Sequence, residues 1–231
     1  MPDFSKRSTE LEIMDNFALD HQEIDPVLAE LETINKLLGG FSVFYDAFKK
    51  IKLVDGDTIC DWGCGGGDSL KVLDKYFKKR GLKLNFIGVD ATESAVEYAT
   101  ETNKEFSDLS FRLADVLKEP FKENEFDVVI SSLFTHHFDD ETWVLLIKKM
   151  LSASKKAVII NDLHRHPFAY HAIGLLTRLF SKSPMVKYDS KLSVLRSFRK
   201  KELEVLLKKA GAINYSIKWM WAFRWQVVIW K

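Results

Sequence analysis

Cysteine is scarce: the 231 residues hold two, Cys60 and Cys64, on either side of a strand-to-glycine turn. Two cysteines so placed exclude a disulfide-built scaffold and read as small buried hydrophobes in a reducing compartment. Excess charge is missing as well. The 34 basic residues nearly cancel the 33 acidic ones, leaving a formal charge of +1, so the broad positive field of a nucleic-acid binder is absent. No apolar run reaches the roughly 20 residues that a membrane-spanning helix needs; the nearest candidate is "PFAYHAIGLLTRLF". The N-terminal "MPDFSKRSTELEIMD" is polar and acidic, unlike a signal peptide. Internal repeats, low-complexity tracts and interdomain linkers are also lacking. The expectation is a soluble, cytoplasmic protein of one domain with an elaborated edge, without a nucleic-acid partner or stable membrane insertion. Its oligomeric state, monomer or homodimer, is left open.

What is present is alternation. "LAELETINKLL" carries apolar residues at helical spacing and stops at Gly39 and Gly40. A short helix over 42–50 follows. Residues 57–62 then read as a buried strand, followed by a glycine turn and a helix over 68–80. "LNFIGVD" is a strand, "TESAVEYATETNKEF" a helix opened by a capping box at Thr92, and "LSFRLAD" a strand. "FDVVISSLF" is a strand, "DDETWVLLIKKML" a helix capped by Asp139 or Asp140, and "KAVIIND" a strand. Strands alternating with helices imply a parallel sheet covered on both faces. The last third departs from this. A helix opens at Pro167, "SKSPMVKYDSKLS" reads as a polar link, and a helix runs over 199–210. "INYSIKWMWAF" and "RWQVVIW" form an edge hairpin whose tryptophans, Trp219, Trp221, Trp225 and Trp230, read as strand core.

The glycine turn, "DWGCGGGD" over 61–68, follows the first strand. A dinucleotide site would present G-x-G-x-x-G there. Gly63 and Gly65 fit that frame, but Asp68 occupies the third glycine position and Asp61 precedes the turn. Both carboxylates repel a pyrophosphate, and no Lys-Ser/Thr pair follows for a Walker-type loop. The acids suit a cationic ligand. S-adenosylmethionine carries an ammonium and a sulfonium and no phosphate. Asp90, ending the second strand, is placed to accept from ribose hydroxyls. Asp115, ending the third, is placed to accept from an adenine amino group.

These motifs resemble the class I S-adenosylmethionine-dependent methyltransferases. "ICDWGCGGGD" matches their first motif, "GVDAT" their second-strand acid, "LADV" their adenine-side acid, and "FDVVISSLFTHHFDD" their fourth strand with the His-His stretch after it. The resemblance covers about residues 53–231. It implies an α/β, Rossmann-like, seven-stranded, mostly parallel sheet with helices on both faces and an antiparallel C-terminal hairpin. Residues 1–50 would form an N-terminal helical cover, and residues 51–231 the methyltransferase domain with a lid or insert near 164–197. It implies S-adenosylmethionine as cofactor, bound by Asp61, Gly63, Cys64, Gly65, Asp68, Asp90, Ala91, Ala114, Asp115, Val116 and Ser131. The Asn/Asp-Pro-Pro-aromatic stretch of nucleic-acid N-methylating members is absent; "SSLFTHHF" stands there. The His-His version is typical of the small-molecule, ubiquinone and menaquinone type. "RSTELEIMD", "INKLLGG" and "LSVLRSF" look like bacterial methyltransferases beside aromatic polyketide or aryl-polyene pathways.

The implied partner is therefore a small methyl acceptor, phenolic or quinone-like, methylated on oxygen. C-methylation of a quinone precursor is the enzymatic alternative, and a non-catalytic cofactor-binding module the other. A phenol loses its proton near pKa 10, so a neutral histidine would assist. His136, His137 and His164 are the catalytic candidates; His136 and His137 are expected to point to opposite sides, one facing the pocket. His166, Arg165, Arg196 and Tyr170 are the substrate-binding candidates. Met14 and Asp15 are candidate cover contacts. No compact ligand spacing marks a metal site.

Overall fold

The computed structural model describes residues 2–231. The chain enters as an irregular segment with one 3-10 turn, Ile13–Asp15. Two helices follow, α1 (His21–Leu37) and α2 (Ser42–Phe48). Then come β1 (Thr58–Trp62), α3 (Asp68–Lys78), β2 (Asn85–Asp90), α4 (Glu93–Thr102) and β3 (Leu109–Leu113). The second half holds β4 (Phe126–Ser132), α5 (Asp140–Ala153), β5 (Ser154–Leu163), α6 (Pro167–Phe180), α7 (Pro184–Arg196), α8 (Lys200–Lys209), β6 (Asn214–Met220) and β7 (Arg224–Trp230).

The seven strands form one sheet in the order β3-β2-β1-β4-β5-β7-β6. β1 to β5 run parallel; β7 pairs antiparallel with β5 and with β6. Successive strand residues point to opposite faces, so the central strands feed two cores. Cys60, Trp62 and Val129 pack with Trp143, Leu146 and Leu206 on one face. Ile59, Val128 and Ile130 pack with Phe44, Leu70 and Leu73 on the other. Strand order reverses between β1 and β4. In open parallel sheets that switch leaves a crevice beyond the carboxyl ends of the strands, where ligands bind.

Four expectations are corrected. The first helix begins at His21 rather than Leu28, because Asp20 accepts from the Glu23 amide and Glu23 reaches back to Asp20. At Thr92 the side chain makes no cap bond; instead the Asp90 carboxylate accepts from the Thr92 amide. The supposed polar link contains α7, started by Ser183 and Pro184. Its buried side mixes Val186, Leu192 and Val194 with Asp189 and Arg196, so no apolar period betrays it. Of the hairpin tryptophans, Trp225 is core, whereas Trp219 and Trp221 are 44% and 65% exposed. Trp221 lies in the turn, off the strand pattern. Among the described residues, no helix is long and apolar enough to cross a membrane.

Candidate active site

The glycine turn makes its shape by giving up side chains. Gly63, Gly65 and Gly67 all have positive φ, at 72°, 48° and 75°. A Cβ on Gly63 would lie 2.2 Å from the Phe134 ring, and one on Gly67 2.6 Å from Phe111. The turn folds back over β2: the amides of Gly63 and Cys64 both donate to the Val89 carbonyl, at 2.8 and 3.1 Å. Asp90 then accepts from the Gly65 amide (2.9 Å) and the Thr92 amide (3.0 Å), which locks its carboxylate toward the turn.

A cavity of about 320 Å³ opens above this turn. Its wall includes Asp15, Glu32, Asp61, Asp68 and Asp90 and neither a lysine nor an arginine. Asp61 is 1% exposed, and its Oδ1 has no hydrogen-bond partner. Burial, then the neighbouring Asp68 and Asp90, pushes the Asp61 carboxyl well above its usual range. Burial likewise raises Asp68, against the bonds it accepts from Asn35 and Ser69. Five carboxylates, one of them buried with an unused oxygen, reject a phosphate and suit a cation. The chemistry of the wall therefore fits S-adenosylmethionine.

Of the expected cofactor residues, Asp61, Gly63, Cys64, Gly65, Asp68 and Asp90 meet at this cavity. Ala91, Ala114, Asp115, Val116 and Ser131 do not line it. Val116 belongs to the core, with Ala114 packed against it. Ser131 donates its hydroxyl to the Trp62 carbonyl at 2.9 Å. Asp115 accepts from the Leu117 amide and pairs with Lys118 at 3.0 Å. Burial opposes its charge, but Lys118 and the backbone bonds outweigh it and hold its pKa low. Asn35, Tyr98 and Phe134 join the wall without any signal in the sequence.

A second cavity, about 280 Å³, adjoins the first. Met14, Leu31, Leu133 and His137 line both. Its far wall is apolar: Ala169, Ala172, Ile173 and Leu176 of α6, Val186 and Val194 of α7, and the hairpin turn at Trp221–Phe223. Glu12, His136, His137 and Asp189 are among its few polar groups.

His136 and His137 both reach this cavity, against the expectation of opposite directions. They sit in a 3-10 turn, Thr135–His137, where successive side chains fan by about 120° rather than alternating. Their rings lie 4.5 Å apart. His136 Nδ1 is 2.7 Å from Asp162 Oδ1, and its Nε2 is buried without a partner. Burial would lower the His136 pKa, but Asp162 and Glu12 outweigh it and raise it to about 9. His137 Nδ1 is 2.5 Å from Asp15 Oδ1. Met14 and Asp15, the candidate cover contacts, thus sit directly on the site.

The remaining candidates have other work. Arg165 is buried and donates to the Phe4 and Ser197 carbonyls and to Glu202. Arg196 is buried against Asp15 and the His137 carbonyl, both at 2.5 Å. Tyr170 packs edge-on against Phe4 and His171. His166 caps α6, its Nδ1 accepting from the Phe168 amide. These four lie outside both cavity walls, as does His164. His164 packs against Trp225 and His166, and burial first, then nearby cations, lowers its pKa to about 4. Between about 4 and the reference 6.5, the unfolded chain binds a proton there that the folded chain refuses. His164 therefore contributes stability above pH 6.5 that is lost as pH falls through about 4. The expected result is a shallower acid decline of the urea midpoint for His164→Phe than for wild type; identical slopes over that window would refute this.

Comparison with known proteins agrees with the geometry. A family profile described as a methyltransferase domain matches residues 53–211. A probable chloroplastic tocopherol O-methyltransferase of rice is 28% identical over 141 residues, 60% of this chain and 36% of that protein. The chain spans 25–36% of the length of the curated relatives it matches. Among solved structures, a SAM-dependent methyltransferase from Aquifex aeolicus superposes with a TM-score of 0.64 at 17% identity, covering 92% of this chain and 98% of that one. The plantazolicin methyltransferase BpumL, solved with S-adenosylhomocysteine, gives 0.66 at 18% identity and 88% of each chain. Sheet order, glycine turn, acidic cavity and a profile match spanning most of the sheet converge, and the chain belongs to the methyltransferase-domain family.

Proposed function

We propose that this protein transfers the methyl group of S-adenosylmethionine to an oxygen of a small, largely apolar acceptor of phenolic or quinol type. The observation that carries this reading is the pair of joined cavities, one acidic and one apolar, meeting at Met14, Leu133 and His137. When bound, S-adenosylmethionine supplies a methyl group on a sulfonium leaving group. Asp61 and Asp68, with Asn35 beside them, hold the ammonium. Asp90, fixed by two backbone amides, keeps lone pairs free for the ribose hydroxyls. The walls contributed by residues 1–50 and by α6 and α7 of the 164–197 insert exclude water and align the acceptor, and alignment accounts for much of such a displacement. His136 and His137 line the apolar cavity; His136, kept protonated by Asp162 and Glu12, would act by stabilising the acceptor's developing oxyanion rather than by taking its proton. The likeness to a probable tocopherol O-methyltransferase, whose name denotes oxygen methylation, supports O- over C-transfer.

The test is transfer of labelled methyl to a panel of phenols and quinols, with the product's methylated atom identified. Oxygen methylation is expected. His136→Ala should lower kcat by roughly 10²–10⁴-fold while leaving cofactor affinity near wild type. Carbon methylation, or full turnover by His136→Ala, would sink this assignment.

A further inference from the structure

Glu12, His136 and His137 converge on one point. One ligand-type atom from each lies within 4.8 Å of the others. His136 Nε2 is 3.5 Å from Glu12 Oε1, and His137 Nε2 is 3.9 Å from Glu12 Oε2. A buried imidazole and carboxylate left to themselves close to a charge-assisted hydrogen bond of roughly 2.7–2.9 Å. Here they do not. Glu12 Oε1 and His136 Nε2 are both buried and unpartnered. Donor atoms around a tetrahedral ion, each about 2.0–2.1 Å from it, stand roughly 3.3–3.5 Å from one another. The 3.5 Å separation matches that spacing, and the 3.9 Å one, to the other carboxylate oxygen, needs a closure of a few tenths of an ångström.

The far sides of the three groups are fixed. Asp162 holds His136 at Nδ1, and Asp15 holds His137 at Nδ1. Ser193 donates to Glu12 Oε2 at 2.8 Å. A carboxylate behind each imidazole turns its other nitrogen toward the centre and raises its donor strength, the arrangement found around protein-bound metals. Charge agrees. Glu12, Asp15 and Asp162 are three carboxylates in direct contact with the imidazoles, against one guanidinium, Arg196, beside Glu12 and Asp15. With both imidazoles neutral, as ligation requires, these contacts leave an excess of negative charge that a cation would offset, Arg224 being the further cation, on the cavity wall.

We propose that Glu12, His136 and His137 form a binding site for a divalent first-row transition-metal ion. Two imidazoles and one carboxylate favour such an ion over Mg²⁺ or Ca²⁺, which take oxygen donors. All three residues line the apolar cavity, so the open side of the ion faces the acceptor. Its use there, holding and acidifying an acceptor oxygen, rests on the function proposed above. The binding does not, and the experiment measures binding with neither cofactor nor acceptor present.

Full-length protein treated with chelator and dialysed is titrated with Zn²⁺ by calorimetry and with Co²⁺ by visible absorption. One ion per chain is expected, with the intense ligand-field bands of low-coordinate Co²⁺. Glu12→Gln and His137→Gln should each weaken Zn²⁺ by at least ~10-fold, and Asp162→Asn, which touches no ion, by roughly 10–100-fold. His21, paired with Asp25 and Glu97 on the surface, is the competing site; His21→Ala should leave the stoichiometry at one. The Co²⁺ spectrum of wild type needs no variant and stands even where a variant fails to fold. Absence of stoichiometric binding, an octahedral aqua-like Co²⁺ spectrum, or loss of binding in His21→Ala would overturn the proposal.

Discussion

Asp61→Asn is expected to stabilise the cofactor-free protein while weakening S-adenosylmethionine by roughly 30–150-fold, the equivalent of a lost charge-assisted hydrogen bond of about 2–3 kcal/mol. The two effects share one cause. Asp61 is buried, its Oδ1 lacks a partner, and Asp68 and Asp90 crowd it with like charge. Its folded pKa stands well above the ordinary aspartate value. The folded chain therefore holds a proton there that the unfolded chain releases, and stability falls as pH rises above about 3.8 until the folded group itself ionises. Asparagine removes that slope. At neutral pH the cofactor-free variant should melt a few degrees higher, on the order of 2–4 °C per kcal/mol for a chain of this size. On the proposed reading Asp61 faces the cofactor's ammonium, to which asparagine would offer only a dipole. Calorimetry with S-adenosylhomocysteine, which keeps the ammonium, together with melting curves from pH 5 to 8, measures both. Equal affinity in the variant would move the ammonium away from Asp61.

Arg7→Ala is expected to cost about 1–3 kcal/mol of stability and to lower turnover by roughly 10²-fold or more. The guanidinium donates to the carbonyls of Arg196 (2.7 Å), Phe138 (2.7 Å) and His136 (3.0 Å) and to Asp140 (2.8 Å). It also stacks 4.2 Å from the centre of the Phe198 ring. One side chain thus ties the N-terminal segment to the His136–His137 turn and to the end of α7. Alanine leaves partly buried carbonyls without a donor and frees the segment that carries Glu12, Met14 and Asp15 over the cavities. Arg7→Lys should not rescue, because one ammonium lacks the planar fork that spans four acceptors. Urea unfolding gives the stability term. Amide exchange of the 2–19 segment, with and without S-adenosylhomocysteine, gives the loosening. A variant with wild-type stability and unchanged exchange would show that the segment is held by other contacts.

The legible part of this molecule is its local order. Strand and helix alternation can be read because apolar residues recur with the period of the element that buries them, as in "FDVVISS" of β4 and "TWVLLIKKML" of α5. The acids ending β1 and β2 were readable for another reason: a parallel strand leads directly to the ligand crevice, so Asp61 and Asp90 arrive there through chain geometry alone. Asp115 follows the third strand in the same way and pairs with Lys118 off the cavity wall, while the Ala114 amide before it still donates to the Asp90 carbonyl. Arg165 and Arg196 had the chemistry of substrate clamps and are buried among backbone carbonyls instead.

The amino-acid sequence by itself determined the sheet, the glycine turn, the acidic character of the cofactor wall and hence the class of ligand, all properties of residues close together along the chain. Tertiary structure alone decided the rest. α7 escaped notice because its buried side includes Asp189 and Arg196, whose burial follows from partners on the N-terminal segment rather than from their own hydropathy. Glu12 meets His136 and His137 only because Arg7, Asp15 and Asp189 bind that segment across α7 and the turn after β4. Hydrophobic period records whether a residue is buried. It carries no record of which distant polar group it is buried against, and in this protein those pairings supply the polar part of the second cavity's wall.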